Sequence, residues 1–375
     1  MFRFILLSLL IGFGHISYAC DFENISFDKN FPGGRFTSCE QLAPSKFLLN
    51  LTPENTPIND SPWYAFKVNS IKQQTIEIVL KVVDGNHRYP PKKSLDGKAW
   101  LLEEYNVAGD HLSFSLSVGK TPVWVSAQEI LSGKDYYNWG AELALKPNVV
   151  HDVIGWSVQN RPLYKVEYQG VGNEWLVVLG RLHPPEVTGA LALLPFAEAV
   201  LADTPLAIKF RKRFNILVLP NLNPDGVFMG NWRHNANGFD LNRDWKTFSQ
   251  NEVATVHKYL QQIVKQGENI AMGVDFHSTH KDIFYTMPKD YDVKNPMLVT
   301  KWLDALDQQY PDFSVIQQPG NNPDKGVSKQ YFSDVYKAPA ITYEMGDKTE
   351  RGFIKELANS AANQLMKTML ASPKL

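Results

Sequence analysis

Three nearly continuous apolar runs place the main constraint on this chain: Trp175-Leu176-Val177-Val178-Leu179, Phe214-Asn215-Ile216-Leu217-Val218-Leu219-Pro220, and Ile270 to Phe276. Runs without polar alternation are what strands buried on both faces look like. Leu163 to Tyr168 and Ala340 to Tyr343 read as further strands. Between and after them lie segments of helical character: Pro185 to Ala202, Glu252 to Lys265, Pro296 to Gln309 and Thr349 to Leu370. Strands alternating with helices specify an α/β fold, here a mixed, largely parallel sheet with helices on both faces. Ligands of such sheets sit beyond the carboxyl ends of the strands.

The first third of the chain is written differently. Trp63 to Val68 is aromatic and partly alternating, and Thr75 to Val83 ends at the turn pair Asp84-Gly85. Leu112 to Val118 alternates strictly and stops at Gly119, and Thr121 to Val125 follows as another strand. Short strands punctuated by turns specify a small antiparallel β domain, residues 20–128, ahead of an α/β domain, residues 129–375. A length of 375 residues accommodates two domains, and an apolar share of 44% supports their cores. Acidic and basic residues nearly cancel, at a net charge of -1. There is no basic stripe of the kind that binds nucleic acid, so no such partner is expected.

Residues 1–19 read as a secretory signal peptide. Arg3 precedes an apolar run from Phe4 to Gly14, and Ser17-Tyr18-Ala19 is a small-x-small site for cleavage after Ala19. The run is about half the roughly 20 residues a membrane span needs, so no transmembrane segment is expected in the mature chain. Acylation of Cys20 is disfavoured, because Ser17 stands where a lipoprotein signal usually has Leu. Export places the protein in a periplasm or outside the cell. In a eukaryotic source Asn24-Ile25-Ser26 and Asn50-Leu51-Thr52 would be glycosylation acceptors. Cys20 and Cys39 are the only cysteines after the cleavage site. An even count in an exported chain suggests a bridge, but spacing alone leaves two free thiols open. Neither has a metal-ligand neighbour.

The chemistry begins where Trp175 to Leu179 runs into Gly180-Arg181-Leu182-His183-Pro184-Pro185-Glu186. His183 and Glu186 are three apart, a spacing that points two side chains the same way on a helical turn. Alone, such a pair is common by chance. His277, in Asp275-Phe276-His277-Ser278, follows another buried strand and comes to the same sheet edge. Together His183, Glu186 and His277 form a His₂Glu set with an open position, the pattern of a catalytic Zn²⁺ site. Asp275 is a candidate to orient a ligand, with strand alternation as the objection that it points away.

Between these ligands stand Asn223-Pro224-Asp225-Gly226, Trp232-Arg233 and Asp240-Leu241-Asn242-Arg243, with Glu344 in Thr342-Tyr343-Glu344-Met345-Gly346 further on. In this order, with His-x-x-Glu and the distal His, they resemble the metallocarboxypeptidase family of the carboxypeptidase A type over about residues 130 to 375. The resemblance implies a zinc metallopeptidase with a peptide substrate. It makes Glu344 the general base, Arg233 the oxyanion stabiliser, and Asn242 and Arg243 the grip on the substrate's terminal carboxylate. Asn223, Asp225 and Gly226 would shape the turn beneath. The family's mobile tyrosine has three candidates, Tyr285, Tyr331 and Tyr336. Ungapped counting back fifteen positions from Glu344 puts Lys329 in the pocket for the last side chain, a cation that favours acidic or carboxylate-bearing residues. No inhibitory pro-segment is recognisable, so synthesis in active form is expected.

The β domain and Ser61-Pro62-Trp63-Tyr64-Ala65-Phe66 resemble the cytosolic carboxypeptidase (deglutamylase) branch and its bacterial relatives. An export signal departs from that branch and argues against a tubulin-like substrate. The rival readings are an N-acyl amino acid amidohydrolase or a cell-wall peptide amidase of the same fold. A peptide-binding module without catalysis would have lost a ligand or the base, and none is missing.

Overall fold

The computed structural model describes residues 20–375, so the expected signal peptide lies outside the described residues. The β domain is two sheets face to face. One runs Cys20–Asp21, Ile25–Asp28, Ala65–Ser70, Val123–Ser126, Lys92–Ser94, Leu101–Leu102. The other runs Ser38–Ala43, Lys46–Leu51, Gln74–Val82, His111–Val118, Asn106–Ala108. Alternation in His111–Val118 turns Leu112, Phe114, Leu116 and Val118 inward against Phe27, Phe47 and Phe66. The domain is antiparallel as expected, with one parallel pairing, between Lys46–Leu51 and Gln74–Val82. Between them the chain passes through the other sheet as Ala65–Ser70, and a crossover of that kind returns a strand in the same direction.

Cys20 and Cys39 form a disulfide across 19 residues. Closing a loop of that size restricts the unfolded chain by about 3 kcal/mol. Cys39→Ser is therefore expected to lower the stability of the β domain by roughly that amount. Denaturant unfolding of the variant against the oxidised protein reads it, and coincident curves would mean that strand pairing already holds these ends.

The α/β domain has an eight-stranded sheet in the order Val149–Trp156, Pro162–Tyr168, Phe214–Leu219, Glu174–Gly180, Asn269–Thr279, Ala340–Gly346, Ile283–Thr286, Gln317–Pro319. The four strands from Phe214–Leu219 to Ala340–Gly346 are parallel, and antiparallel pairings flank them. Every residue of Glu174–Gly180 is buried. Period two still sorts them: Leu176 and Val178 join the core under Val187–Val200, Leu298–Gln309 and Arg351–Ala371, while Trp175, Val177 and Leu179 face the layer of Asn251–Lys265 and Ser328–Tyr336. Helices on both faces are why these strands carry no polar side.

The first turn of Val187–Val200 presses on the sheet beside the site. A Cβ on Gly189 would meet the His277 carbonyl oxygen at 2.3 Å, so only glycine fits there. Thr188 and the Gly189 amide both donate to Ser278 Oγ at 2.8 Å, which pins the helix to the strand that carries His277. Among the described residues no single helix is long and apolar enough to cross a membrane.

Candidate active site

His183 and Glu186 lie in the turn between Glu174–Gly180 and the helix Val187–Val200. His277 comes from inside its strand and not from beyond its end, because Asn269–Thr279 continues past it. On the neighbouring parallel strand Glu344 is its register partner. The third imidazole-or-carboxylate donor and the glutamate thus stand side by side on adjacent strands of one sheet. One donor atom each from His183, Glu186 and His277 lies within 4.8 Å of the others, and all three residues are buried. Glu186 Oε1 is 2.9 Å from His183 Nδ1, and Glu186 Oε2 is 2.7 Å from His277 Nδ1.

The outer nitrogens are held as well. His183 Nε2 donates to Asp240 Oδ1 at 3.0 Å, and His277 Nε2 donates to Asp275 Oδ2 at 2.9 Å. A proton on Nε2 leaves the Nδ1 lone pair of each ring pointing inward, the state in which imidazole binds a metal. The objection to Asp275 fails because residues two apart in a strand share a face. Asp240 belongs to a motif visible in the sequence, but its grip on His183 had no sequence signal.

The turn itself is braced from beneath. Arg181 has a left-handed φ of 55°, and its guanidinium donates to the Pro184 carbonyl and the Tyr136 hydroxyl, both at 2.8 Å. Asn223 Nδ2 donates to the Leu182 carbonyl at 3.0 Å, and its Oδ1 accepts from Gly226 N–H at 2.9 Å. Asp225 is buried and accepts from Ser157 Oγ at 2.7 Å and Arg161 Nη1 at 2.8 Å. These residues shape the turn and touch none of the converging donors.

Charge in the site is unbalanced toward the carboxylates. Burial opposes ionisation of Glu186, but when both rings also carry a proton on Nδ1 the charges and hydrogen bonds of His183 and His277 outweigh it and hold its pKa well below the carboxylate range. Burial, and then the negative charge of Glu186, push Glu344 up to about 8. Glu344 Oε2 is buried and has no hydrogen-bond partner. Two inward lone pairs, an ionised carboxylate and a second, unpartnered carboxylate oxygen fit a divalent cation of borderline softness such as zinc. Such a cation also draws a nearby carboxyl back toward its ionised form.

The other residues singled out in the sequence fall around this centre. Arg233 Nε donates to Asp240 Oδ2 at 2.8 Å, so Arg233 and His183 share one carboxylate. Asn242 Nδ2 lies 3.5 Å from His277 Nε2, and its Oδ1 accepts from Ser328 N–H at 3.0 Å. Arg243 is largely exposed, its Nη1 bonded to the Asn242 carbonyl at 2.7 Å. Lys329 is only 4% exposed; its ammonium donates to the Thr286 carbonyl at 2.7 Å and the Gly320 carbonyl at 2.6 Å. Burial pulls its pKa down to about 8.

Of the three tyrosines, Tyr331 and Tyr336 are buried and bonded to each other at 2.6 Å, with Tyr331 also on His257. Tyr285 stands apart from them. It is half-buried, opposite Thr342 on the strand that pairs with the one carrying Glu344, and burial followed by the Glu344 charge raises its phenol. The β domain also contributes. Arg88 donates to Asp347 Oδ2 at 2.8 Å, to the Ser278 carbonyl at 2.9 Å and to Ser61 Oγ at 2.8 Å, behind the strand ends that carry His277 and Glu344. No local pattern in the sequence marks it.

Comparison with known proteins gives a consistent picture. Residues 136–363 match the zinc carboxypeptidase family, Peptidase M14, and residues 27–127 match the cytosolic carboxypeptidase N-terminal domain. Human cytosolic carboxypeptidase 6 is 30% identical over 287 residues, 68% of this chain and 56% of that protein. Mouse cytosolic carboxypeptidase 6 is 23% identical over 287 residues, 68% of this chain and 52% of that protein. The chain thus spans about half the length of these relatives. A metallo-carboxypeptidase from Burkholderia cenocepacia superposes with a TM-score of 0.78 at 17% identity, over 92% of this chain and 98% of its own. One from Pseudomonas aeruginosa, solved in complex with (2-guanidinoethylmercapto)succinic acid, gives 0.77 at 20% identity, over 91% and 98%. At these identities the likeness is one of fold, and it extends through both domains.

Proposed function

The chain belongs to the zinc carboxypeptidase family, Peptidase M14, and from that premise we propose that it removes single residues from the C-termini of peptides, preferring acidic or carboxylate-bearing ones. The observation that carries the reading is the convergence of His183, Glu186 and His277 beside Glu344, one of whose carboxylate oxygens is buried and unpartnered. His183, Glu186 and His277 are the metal ligands in this reading. Bound zinc would polarise the scissile carbonyl and acidify water. Glu344 accepts the proton from that water and returns it to the leaving nitrogen. Arg233, aimed by Asp240, faces the oxyanion. Asn242 and Arg243 receive the terminal carboxylate, for which a planar guanidinium is suited. In this reading Tyr285, on the strand next to the one that carries Glu344, is the tyrosine assigned to close over substrate.

Lys329 supports the acidic preference. It is a buried ammonium with carbonyl partners but no carboxylate partner among the described residues. It also follows Ser328, whose amide holds Asn242. A substrate carboxylate there gains a charge-assisted hydrogen bond of about 1.5–3 kcal/mol. Lys329→Met is expected to cut the preference for C-terminal Glu over Gln, in kcat/KM, by about 10-fold or more. The free enzyme's lysine is cationic below its pKa and neutral above it. The same preference should therefore be full at neutral pH and fade as pH rises past about 8. A ratio unchanged by the substitution and flat across pH would end the specificity reading.

The test of the whole reading is a panel of peptides with acidic, basic and apolar C-termini, a muropeptide and N-acyl amino acids, followed by mass spectrometry. Loss of single C-terminal residues, abolished by a chelator, is the expected result. Internal amide cleavage of the muropeptide would make it a cell-wall amidase, and cleavage of N-acyl amino acids alone would make it an amidohydrolase. The same reading has residues 1–19 removed on export, so that the enzyme meets its peptides in a periplasm or outside the cell. N-terminal sequencing of the secreted or periplasmic protein should begin at Cys20, and a mature protein that keeps Met1 would end that part.

A further inference from the structure

The turn that carries Arg233 is held from the other domain. At Gly230 the chain has a left-handed φ of 66°. A Cβ there would meet Arg35 Cβ, the Gly33 carbonyl oxygen and Trp63 Cδ1, each at 2.9 Å. The turn is therefore pressed onto the β domain, and only glycine permits the approach. Trp232 is buried within the β domain's own core.

Glu54, on the loop after Lys46–Leu51, closes the contact. Its Oε2 accepts from Trp232 N–H at 2.8 Å, and its Oε1 accepts from Arg233 N–H at 2.9 Å and His234 N–H at 2.7 Å. Three successive amides converging on one carboxylate form a backbone anion nest, filled here by a side chain of the neighbouring domain. Its side chain is 10% exposed, so these charge-assisted bonds are poorly screened by water. Next to it, Asn55 Oδ1 lies 2.8 Å from His234 Nδ1, and Asn55 Nδ2 donates to the Gly238 carbonyl at 3.0 Å. With the amides of the turn committed to Glu54, the Arg233 side chain extends to Asp240, and through it to His183.

We infer that Glu54 is a positioning residue for hydrolysis: by holding the amides of Trp232, Arg233 and His234 it aims the Arg233 guanidinium, so that the β domain is a working part of the active site. This rests on the peptidase reading above. Displacement of a catalytic group by about 1 Å can cost about 10²-fold in rate. Glu54→Ala should lower kcat by about 10- to 100-fold while KM and zinc content stay within about twofold of the parent. Glu54→Gln, which keeps one acceptor oxygen, should fall between.

The decisive comparison is with Arg233→Met. If Glu54 acts through Arg233, adding Glu54→Ala to Arg233→Met costs less than about twofold more. Amide hydrogen exchange at Trp232, Arg233 and His234 should also quicken in the Glu54 variant. An unchanged kcat, a loss of equal factor on the Arg233→Met background, or a loss of zinc would each overturn the inference. Should Glu54→Ala fail to fold, Glu54→Gln and Glu54→Asp carry the same measurements. If the parent enzyme cleaves no peptide, the peptidase reading falls by itself. Exchange at the three amides needs no substrate, and unchanged rates there would overturn the positioning claim separately.

Discussion

Glu344→Gln is expected to lower kcat by about 10³-fold, within the 10²–10⁴-fold that a positioned acid–base group contributes, with KM and zinc content little changed. The substitution keeps the shape of the side chain, so it leaves no cavity. It removes the ability to take up and release a proton. Among the described residues no other carboxylate of the site is free to substitute. Glu186 is tied to both imidazoles, Asp240 to His183 and Arg233, and Asp275 to His277 and Ser328. Glu344 Oε2 alone among these oxygens is both unpartnered and next to the converging donors, since the other unpartnered one, Asp275 Oδ1, lies behind His277. Steady-state kinetics with metal analysis on the same sample reads the effect. Activity within tenfold of the parent, at full zinc content, would mean that the proton is handled by another group.

The sequence made the central strands legible because a sheet covered by helices on both faces must be apolar along its whole length. Glu174–Gly180, Phe214–Leu219 and Asn269–Thr279 announce themselves for that reason. The edge strand Val149–Trp156 did not, since it leaves Val150 and Trp156 half-exposed and mixes polar with apolar residues. The short helix Ser328–Tyr336 was hidden too: it buries Ser328, Lys329, Gln330 and Ser333 along with its aromatics, so no amphipathic stripe marks it. The residues of the His-Glu-His cluster were legible from residue type and order.

What surrounds those residues was less so, because it depends on where the chain returns from far away. Asp240 is 57 positions from His183, and Glu54 is 179 from Arg233. No periodicity or spacing encodes a contact of that range. The β domain read as a separate unit in the sequence, whereas Trp232 in its core, Glu54 on the Arg233 turn and Arg88 behind His277 make it continuous with the site.

His277→Ala should take activity to the background of the zinc-stripped protein, and chelation of the parent should do the same. A catalytic zinc needs three protein ligands and an open position. Removing one of three leaves too few donors to hold the ion against solvent. The loss is not confined to the ion. Without the His277 imidazole, Glu186 keeps only His183 and the Ser278 amide of its three partners, and Asp275 loses the donor that shares it with Ser328. Two buried carboxylates then face Glu344 with less positive charge among them, which costs stability as well as catalysis. Asp240→Asn separates the two effects. It leaves all three ligands in place but weakens the orientation of His183, and is expected to cost about 10- to 100-fold in zinc affinity. Added zinc should then restore part of its activity, short of full recovery because Arg233 has also lost its ionised partner, while His277→Ala stays inactive at any zinc concentration. Full activity of His277→Ala on the peptide panel, with zinc still bound, would remove this histidine from the metal set.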